Sequence, residues 1–228
     1  MQQYVNTRLI KRNSFIGKAL TFSGLALLIG SLVLSFTRPE IMNQLLIVVI
    51  FGTLFSQIGI AFYGRWGRKP RFDELLDDAL KGLDNRYASF HYNLGTSHSL
   101  LCPAGAFALM PHLEDGEITY TDSKWWQKKV KVSRLRRPGR KALKRLSKSA
   151  DAEVRALSRA IHRVLPDETE ITILPILVFI NDTALIKAEN APILTVHIKK
   201  LKSTIRRLPK SKSINAKEIE LLATAIGM

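Results

Sequence analysis

The segment ALTFSGLALLIGSLVLSF (residues 19–36), the turn TRPE (37–40) and the segment IMNQLLIVVIFGTLFSQIGIAFY (41–63) decide how this chain is organised. Each apolar segment is close to or above the roughly 20 residues that an α-helix needs to cross a hydrocarbon core of about 30 Å. The short polar turn contains a proline, so the two segments lie back to back. The sequence therefore predicts a transmembrane α-helical hairpin, with helices at about residues 17–37 and 41–63.

Charged residues on either side of the hairpin predict its orientation. Basic side chains precede the first segment and follow the second: Arg8, Lys11, Arg12, Lys18, Arg65, Arg68, Lys69 and Arg71. The positive-inside rule then places both termini and the main domain in the cytoplasm, which makes the chain a multi-pass protein of the cell inner membrane. A cleaved signal peptide is disfavoured, because its apolar region spans only about 7–15 residues. A buried pair of core helices is disfavoured too, because a soluble helix shows a polar face and residues 41–63 have none.

The rest of the chain has the length of one ordinary domain. We divide the sequence into a basic N-terminal segment (1–14), the hairpin (15–63), a basic linker (64–71), an α/β domain (72–210) and a C-terminal amphipathic helix (211–228). The net charge of +16 indicates polyanions, such as anionic lipid or nucleic acid, as neighbours. The single cysteine, Cys102, excludes an internal disulfide framework and a multi-cysteine zinc site.

Hydrophobic periodicity predicts the order of elements in the α/β domain. Residues 72–83 have helical spacing, and short strands follow at 87–94, 98–102, 106–110 and 117–121, forming an antiparallel meander. A long helix is expected from Pro138 to Leu165, then a buried strand at 171–180 and a short one at 193–197. A basic helix around Leu201 and a last amphipathic helix at 214–226 complete an α/β sandwich.

The segment SHSLLCPAGAFAL (97–109) resembles the centre of the nuclease-related domain (NERD) family, in which an Asp-His pair opens a strand, a Pro-x-Gly turn follows and the next strand carries Glu-x-Lys. Residues 72–83 resemble the first helix of that family, Arg137-Pro138 its Asn-Pro helix start, and 174–180 its late apolar strand. The resemblance implies a restriction-endonuclease-like (PD-(D/E)XK-type) α/β core, with a mixed or antiparallel sheet flanked by helices. It also implies metal-dependent cleavage of phosphodiesters.

Carried over residue by residue, the family's catalytic aspartate, glutamate and lysine fall on Ser97, Met110 and His112. Serine is a poor sole anionic ligand, and the thioether of methionine is too soft for the hard cations Mg²⁺ and Mn²⁺. Asp73, with Glu74 beside it, is the expected outer acid of the first helix. We therefore interpret the nuclease centre as degenerate and expect no cofactor; Mg²⁺ or Mn²⁺ enters only if a divergent nuclease has relocated its ligands.

Two other chemistries remain open at the level of sequence. His91 and His98 could face each other across a hairpin and, with His112, supply three metal ligands, although histidines on half-exposed strands are ordinary. Ser97, Ser99 and Cys102 lie near these histidines, but no nucleophile-elbow glycines accompany them. Cys102 on an apolar strand is therefore expected in the core.

Two stretches without acidic residues, 123–150 and 191–216, are the strongest chemical feature that is left. Trp125 and Trp126 begin the first stretch, and an indole beside lysines either stacks on a base or lies at the level of lipid headgroups. A solvated basic face with one tryptophan in the core is the alternative. The candidate lipid- or nucleic-acid-binding residues are Trp125, Trp126, Lys128, Lys129, Arg136, Arg137, Arg140, Lys141, Lys144, Arg145, Lys148, Lys199, Lys200, Arg206 and Arg207.

Together these features predict a membrane-anchored cytoplasmic NERD-like domain without an intact catalytic centre, which acts as a binding or scaffold module. Its expected partners are the lipid bilayer and nucleic acid. A divergent metal-dependent nuclease is the alternative, and a structural membrane protein with an unidentified protein partner is the third possibility.

Overall fold

The computed structural model describes residues 1–129, 139–143, 145–165, 171–209, 214 and 216–225. The chain divides into two compact units. One unit comprises Met1–Val5 together with Phe72–Met228, and the other is Asn6–Arg71. The first five residues thus belong to the α/β unit, whereas the sequence analysis assigned them to a separate basic segment.

The second unit is the expected helical hairpin. It consists of α1 (Thr7–Thr37), a 3-10 turn at Pro39–Ile41 and α2 (Met42–Trp66). Both helices are long and apolar enough to cross a membrane. α1 begins at Thr7 rather than near residue 17, because the side chain of Asn6 caps it: the Asn6 Oδ1 atom accepts a hydrogen bond of 2.9 Å from the backbone N–H of Leu9.

Small residues line the contact between α1 and α2. The buried positions of the two helices include Gly17, Gly24, Gly52 and Gly59. A Cβ atom at Gly24 would lie 2.5 Å from the backbone nitrogen of Ser56 and 2.6 Å from the carbonyl oxygen of Gly52. These glycines therefore let the two backbones approach more closely than any side chain would allow.

The first unit contains two sheets and four helices in its described residues. Its strands are β1 (Gln2–Val5), β2 (Ala88–His91), β3 (His98–Cys102), β4 (Gly105–His112), β5 (Gly116–Thr121), β6 (Lys124–Lys128), β7 (Arg140–Ala142), β8 (Ile173–Phe179), β9 (Ala184–Lys187) and β10 (Leu194–His197). Its helices are α3 (Phe72–Leu80), α4 (Leu146–His162), α5 (Ile198–Arg207) and α6 (Ala216–Ala225).

The main sheet is mixed and has six strands, in the order β1-β2-β3-β4-β8-β10. β2, β3 and β4 form the antiparallel meander that the sequence predicts, and β8 and β10 continue it in parallel. Pro175 lies inside β8 without breaking the sheet. β10 pairs with β8 only from Ile176 onward, so Pro175 has a neighbouring strand on the β4 side alone.

Strand β1 adds an edge that the sequence analysis did not predict. It runs parallel to β2, with Val5 opposite His91. The amino group of Met1 donates a hydrogen bond of 2.8 Å to the carbonyl oxygen of Leu83. Strand residues before the hairpin therefore pair with strand residues after it.

A second sheet, in the order β7-β6-β5-β9, corrects two predictions. Residues 117–121 belong to this sheet, not to the meander. Arg140–Ala142 is a strand, and the helix predicted from Pro138 begins at Leu146. In β6 the buried Trp125 and Gln127 alternate with more exposed neighbours, which is a strand pattern that the many lysines of this region obscured.

Two faces of the main sheet carry different helices. One face packs Leu100, Phe107 and Leu109 against α3 and α5. The other packs Leu101, Ala106 and Ala108 against α4 and α6. A third cluster joins the ends of β4 and β8 to the second sheet through Met110, Phe179, Ile118 and Trp125.

The glycine contact predicts a position-specific effect in the hairpin. Gly24→Ala places a methyl group against Ser56 and should destabilise the hairpin by about 1–3 kcal/mol, the usual cost of overpacking. We expect this as a lower midpoint for thermal unfolding of the full chain in detergent.

Gly30 is the matched control, because a Cβ atom there meets nothing within 4 Å. Gly30→Ala should be neutral, or stabilising by up to about 1 kcal/mol, because alanine is the better helix former. Equal effects of the two substitutions would contradict the observed helix contact.

Candidate functional site

Ser97, Met110 and His112, on which the resemblance places the nuclease residues, have ordinary structural surroundings. The backbone N–H of Ser97 lies 3.3 Å from the Glu153 Oε2 atom and donates to it. Met110 is 9% exposed and belongs to the third core cluster, together with Phe179. The ring of His112 lies 5.5 Å from the ring of Phe179.

His112 also contacts a carboxylate. Its Nδ1 atom is 3.5 Å from the Glu114 Oε2 atom, which is an ion-pair distance. The His112 imidazole lowers the pKa of the Glu114 carboxyl below its ordinary value. The Glu114 side chain is therefore ionised at neutral pH, and its partner His112 lies two residues earlier in the sequence.

The expected outer acid lies on the opposite face of the sheet from Met110. Asp73 is 2% exposed and is on α3, which packs on the face that carries Leu109. Adjacent strand residues point to opposite faces, so Met110 points toward α4 and the second sheet. Glu74 follows Asp73 on α3 and is half-buried. Among the described residues, no group of three His, Cys, Asp or Glu side chains is arranged to hold a metal ion.

The most unusual polar feature is a row of hydrogen-bonded side chains under α3, which we call the buried chain: Ser89, Asp77, His91 and His98. His91 and His98 lie opposite each other in the β2–β3 pair, as the sequence suggested. Their Nδ1 atoms are 2.9 Å apart. The Nε2 atom of His91 is 2.9 Å from the Asp77 Oδ1 atom, which also accepts a hydrogen bond of 2.7 Å from the Ser89 hydroxyl. His91 is fully buried and His98 is 2% exposed.

Asp77 is the member of this chain that the sequence analysis missed. A signal for it was present, because Asp73, Leu76, Asp77 and Leu80 share one helical face and the two leucines are core residues. Carboxylates on an apolar face need buried partners. His91, in the hairpin that follows α3, is such a partner for Asp77.

The loop between β2 and β3 is strained. Tyr92 and Leu94 have φ angles of 60° and 46°, which are unusual for residues with a side chain. In the same loop the Asn93 Oδ1 and Thr96 Oγ1 atoms are buried and have no hydrogen-bond partner. Strain and unsatisfied polar atoms together cost stability, and such costs concentrate at functional sites.

The second sheet presents a basic outer face. We use this name for the exposed side of β5, β6, β7 and β9, which carries Glu117, Thr119, Thr121, Lys124, Trp126, Lys128, Arg140 and Lys187. The guanidinium of Arg140 lies 4.4 Å from the centre of the Trp126 ring and donates a hydrogen bond of 3.1 Å to the Thr121 hydroxyl. Glu117, the acid of this face, is 2.9 Å from Lys187.

The structure separates the predicted binding residues into several places. Trp125 is 3% exposed and packs in the core, so it cannot stack on a ligand. Trp126, Lys128 and Arg140 share the basic outer face. The remaining described candidates are exposed elsewhere: Lys129 and Lys141 beside that face, Arg145 and Lys148 at the start of α4, and Lys199, Lys200, Arg206 and Arg207 on α5. Arg136, Arg137 and Lys144 lie outside the described residues.

Cys102 lies in the core, as expected. Burial raises the pKa of its thiol to about 11. The thiolate needed for nucleophilic attack is therefore scarce at neutral pH. The same property makes Cys102 a reporter of unfolding, because a thiol reagent reaches it only when the core opens.

The buried chain predicts that Asp77 stabilises the α/β unit. Asp77→Ala leaves the Ser89 hydroxyl and the His91 Nε2–H group without their acceptor, which should cost about 3 kcal/mol. Labelling of Cys102 in a urea series on the full chain in detergent measures this change.

Asp78→Ala is the matched control, because Asp78 is the next residue of α3 and is exposed. It should change the stability by less than about 0.5 kcal/mol. Similar losses in both variants would show that the Asp77 carboxylate does not stabilise the unit through these contacts.

Comparison of the chain with protein-family models, with curated proteins and with solved structures finds no match.

Proposed function

We propose that this protein is anchored in a membrane by its helical hairpin and that its α/β unit binds acidic phospholipid headgroups through the basic outer face. The observation that carries the proposal is the arrangement of Lys124, Lys128 and Arg140 beside the half-buried Trp126 on one sheet surface. The activity is binding, without catalysis.

The hairpin supports membrane anchoring. Its outward side chains are large and apolar, and Phe22, Leu32, Ile47 and Ile60 are all more than half exposed. Such a continuous apolar surface is unfavourable in water and favourable in lipid. Basic residues flank both ends, so we place the α/β unit on the cytoplasmic side of the cell inner membrane.

The topology of the α/β unit supports lipid as the polyanion. The chain leaves this unit after Val5 and returns at Phe72, and Val5 lies at the ends of β1 and β2. β2, β4 and β8 run in the same direction, and the second sheet packs at the ends of β4 and β8. The basic outer face thus belongs to the end of the unit from which both connections to the anchor start.

The chemistry of the face suits phosphate. Lysine and arginine supply charge, and each basic side chain near an anionic membrane contributes on the order of 1 kcal/mol. Tryptophan favours the headgroup region, where its ring meets apolar carbon. The Trp126 Nε1–H already donates to the Thr121 carbonyl oxygen, at 3.3 Å. The hydroxyls of Thr119 and Thr121 add hydrogen-bonding groups beside Arg140.

Single-stranded nucleic acid is the second candidate ligand. The stack of Arg140 on Trp126 favours it, because aromatic and guanidinium planes on a basic sheet accept unstacked bases. The same surface would then contact phosphates of the nucleic-acid backbone.

We also propose that the α/β unit is a restriction-endonuclease-like domain of the NERD type that has lost its catalytic centre. This proposal is supported by the order of elements around the main sheet: α3, the antiparallel meander β2–β4, α4 and the parallel strand β8, with β5, β6 and β7 of the second sheet between β4 and α4. The placement of Met110 and Asp73 on opposite faces supports the loss of the centre. A surviving nuclease would instead cleave DNA with Mg²⁺ or Mn²⁺, and Asp73→Asn would abolish the cleavage.

The test uses the full chain in lipid nanodiscs and follows amide hydrogen exchange. In nanodiscs rich in phosphatidylglycerol, exchange in β6 and β7 should be slower than in purely zwitterionic nanodiscs. The double variant Lys128→Glu, Arg140→Glu should lose this protection roughly thirtyfold or more, since two interactions of about 1 kcal/mol each are removed. Raising the salt concentration should weaken the protection as well.

Lys81→Glu with Lys217→Glu is the matched control, because it makes the same change of charge at exposed positions away from the outer face. If this control loses protection equally, net charge and not the face governs binding. Protection by a single-stranded oligonucleotide in zwitterionic nanodiscs, without any effect of phosphatidylglycerol, would replace lipid by the second candidate. Protection by neither ligand would overturn the proposal.

A further inference from the structure

We propose that the His91–His98 contact is an acid-sensitive lock that holds β1 and the start of α3 in place at neutral pH and opens when both rings are protonated. This inference does not depend on what the basic outer face binds.

The number of hydrogens that fit between the two rings determines how the contact responds to acid. Two Nδ1 atoms at 2.9 Å need one hydrogen between them, so one ring donates and the other accepts. The Asp77 carboxylate accepts from the His91 Nε2 atom, so that nitrogen carries a hydrogen. The contact between the two Nδ1 atoms is therefore satisfied when both rings are neutral and His98 donates to His91, or when the pair carries one positive charge.

A second positive charge breaks the contact. Two imidazolium rings would each carry an Nδ1–H, so two donors would meet with no acceptor between them. Both rings are almost completely buried, which removes the water that would screen their repulsion. The closed form thus excludes the last proton, whatever the pKa of either ring alone.

The groups around the pair reinforce this count. From α3, Asp77 bonds to His91, and the buried Asp73 lies one helical turn earlier on the same face. These carboxylates can balance one positive charge. The rings of Phe72 and Tyr92 also contact His98, with centres 6.5 Å and 5.0 Å away.

The contact lies where the chain connects the α/β unit to the hairpin. Val5, the last residue of β1, is paired with His91, and Phe72, the first residue of α3, contacts His98. α1 starts at Thr7, and α2 ends at Trp66. Loss of the contact would therefore release both points at which the chain passes between the two units.

The direction of the pH dependence follows from linkage. The open form binds one proton more than the closed form once the pH falls below the ordinary histidine pKa of about 6.5. Closing is then favoured as the pH rises and disfavoured as it falls. The ratio of closed to open forms should decrease tenfold for each pH unit below about 6, because one extra proton is bound on opening.

Hydrogen exchange of the full chain in nanodiscs tests the proposal between pH 7.5 and 5. After correction for the intrinsic rate of exchange, protection of β1 and β2 should fall tenfold per pH unit below about 6, and protection of β8 should stay constant. In His98→Gln, which cannot take a charge, the protection of β1 and β2 should lose this pH dependence. In His112→Gln, which changes a histidine outside the buried chain, the dependence should remain.

Nuclear magnetic resonance of the ring nitrogens keeps the test decisive if His98→Gln does not fold. The wild-type chain should show one shared Nδ1 hydrogen at pH 7.5, and its loss should coincide with loss of protection in β1. Uptake of two protons by the pair while β1 stays protected would overturn the proposal. So would protection at pH 7.5 that requires added Zn²⁺, since the contact would then be a metal site.

Discussion

The parallel pairing of β1 with β2 is the constraint on which the organisation of the chain depends. β1 precedes the hairpin and β2 follows it, yet the two strands share a ladder from Gln2 to Val5. If α1 and α2 cross a membrane, α1 must begin and α2 must end on the side where this ladder forms. The orientation rule based on flanking charges asks for the same arrangement, but the ladder reaches it independently, through backbone hydrogen bonds.

The alternation of side chains along β4 separates two kinds of chemistry. Leu109 points toward α3 and Met110 points toward α4, so the same short segment serves two cores. Asp77 of α3 bonds to His91 of β2, whereas Met110 packs among the apolar side chains of the third core cluster. A nuclease site needs acids from the helix and from the strands on one face of the sheet. Asp73 and position 110 lie on opposite faces, and position 110 carries a methionine, so the two do not form such a site.

The sequence was sufficient for elements with strong periodicity and insufficient for those defined by distant partners. The hairpin, the meander and β8 could be predicted because long apolar or alternating segments carry their own signal. β1 could not, because four residues become a strand only through pairing with β2, far along the chain. β6 was hidden for another reason: its lysines belong to a basic stretch without acidic residues, and only the alternation of Trp125 and Gln127 with exposed residues reveals a strand.

The candidate sites show the same limit, since spacing in the sequence placed His91 opposite His98 but could not supply Asp77. The exposed charges and the buried chain differ in what they cost the folded state, and this difference indicates different roles. Exposed charges such as Lys128 cost little to keep and contribute little to folding, so folding alone does not require their clustering. The buried chain is different, because apolar side chains of similar size would pack under α3 without its desolvation cost. Hydrogen bonds make that chain tolerable in the folded state, but they do not make it the most stable choice. A role that needs a proton explains why the core of this unit contains two facing histidines.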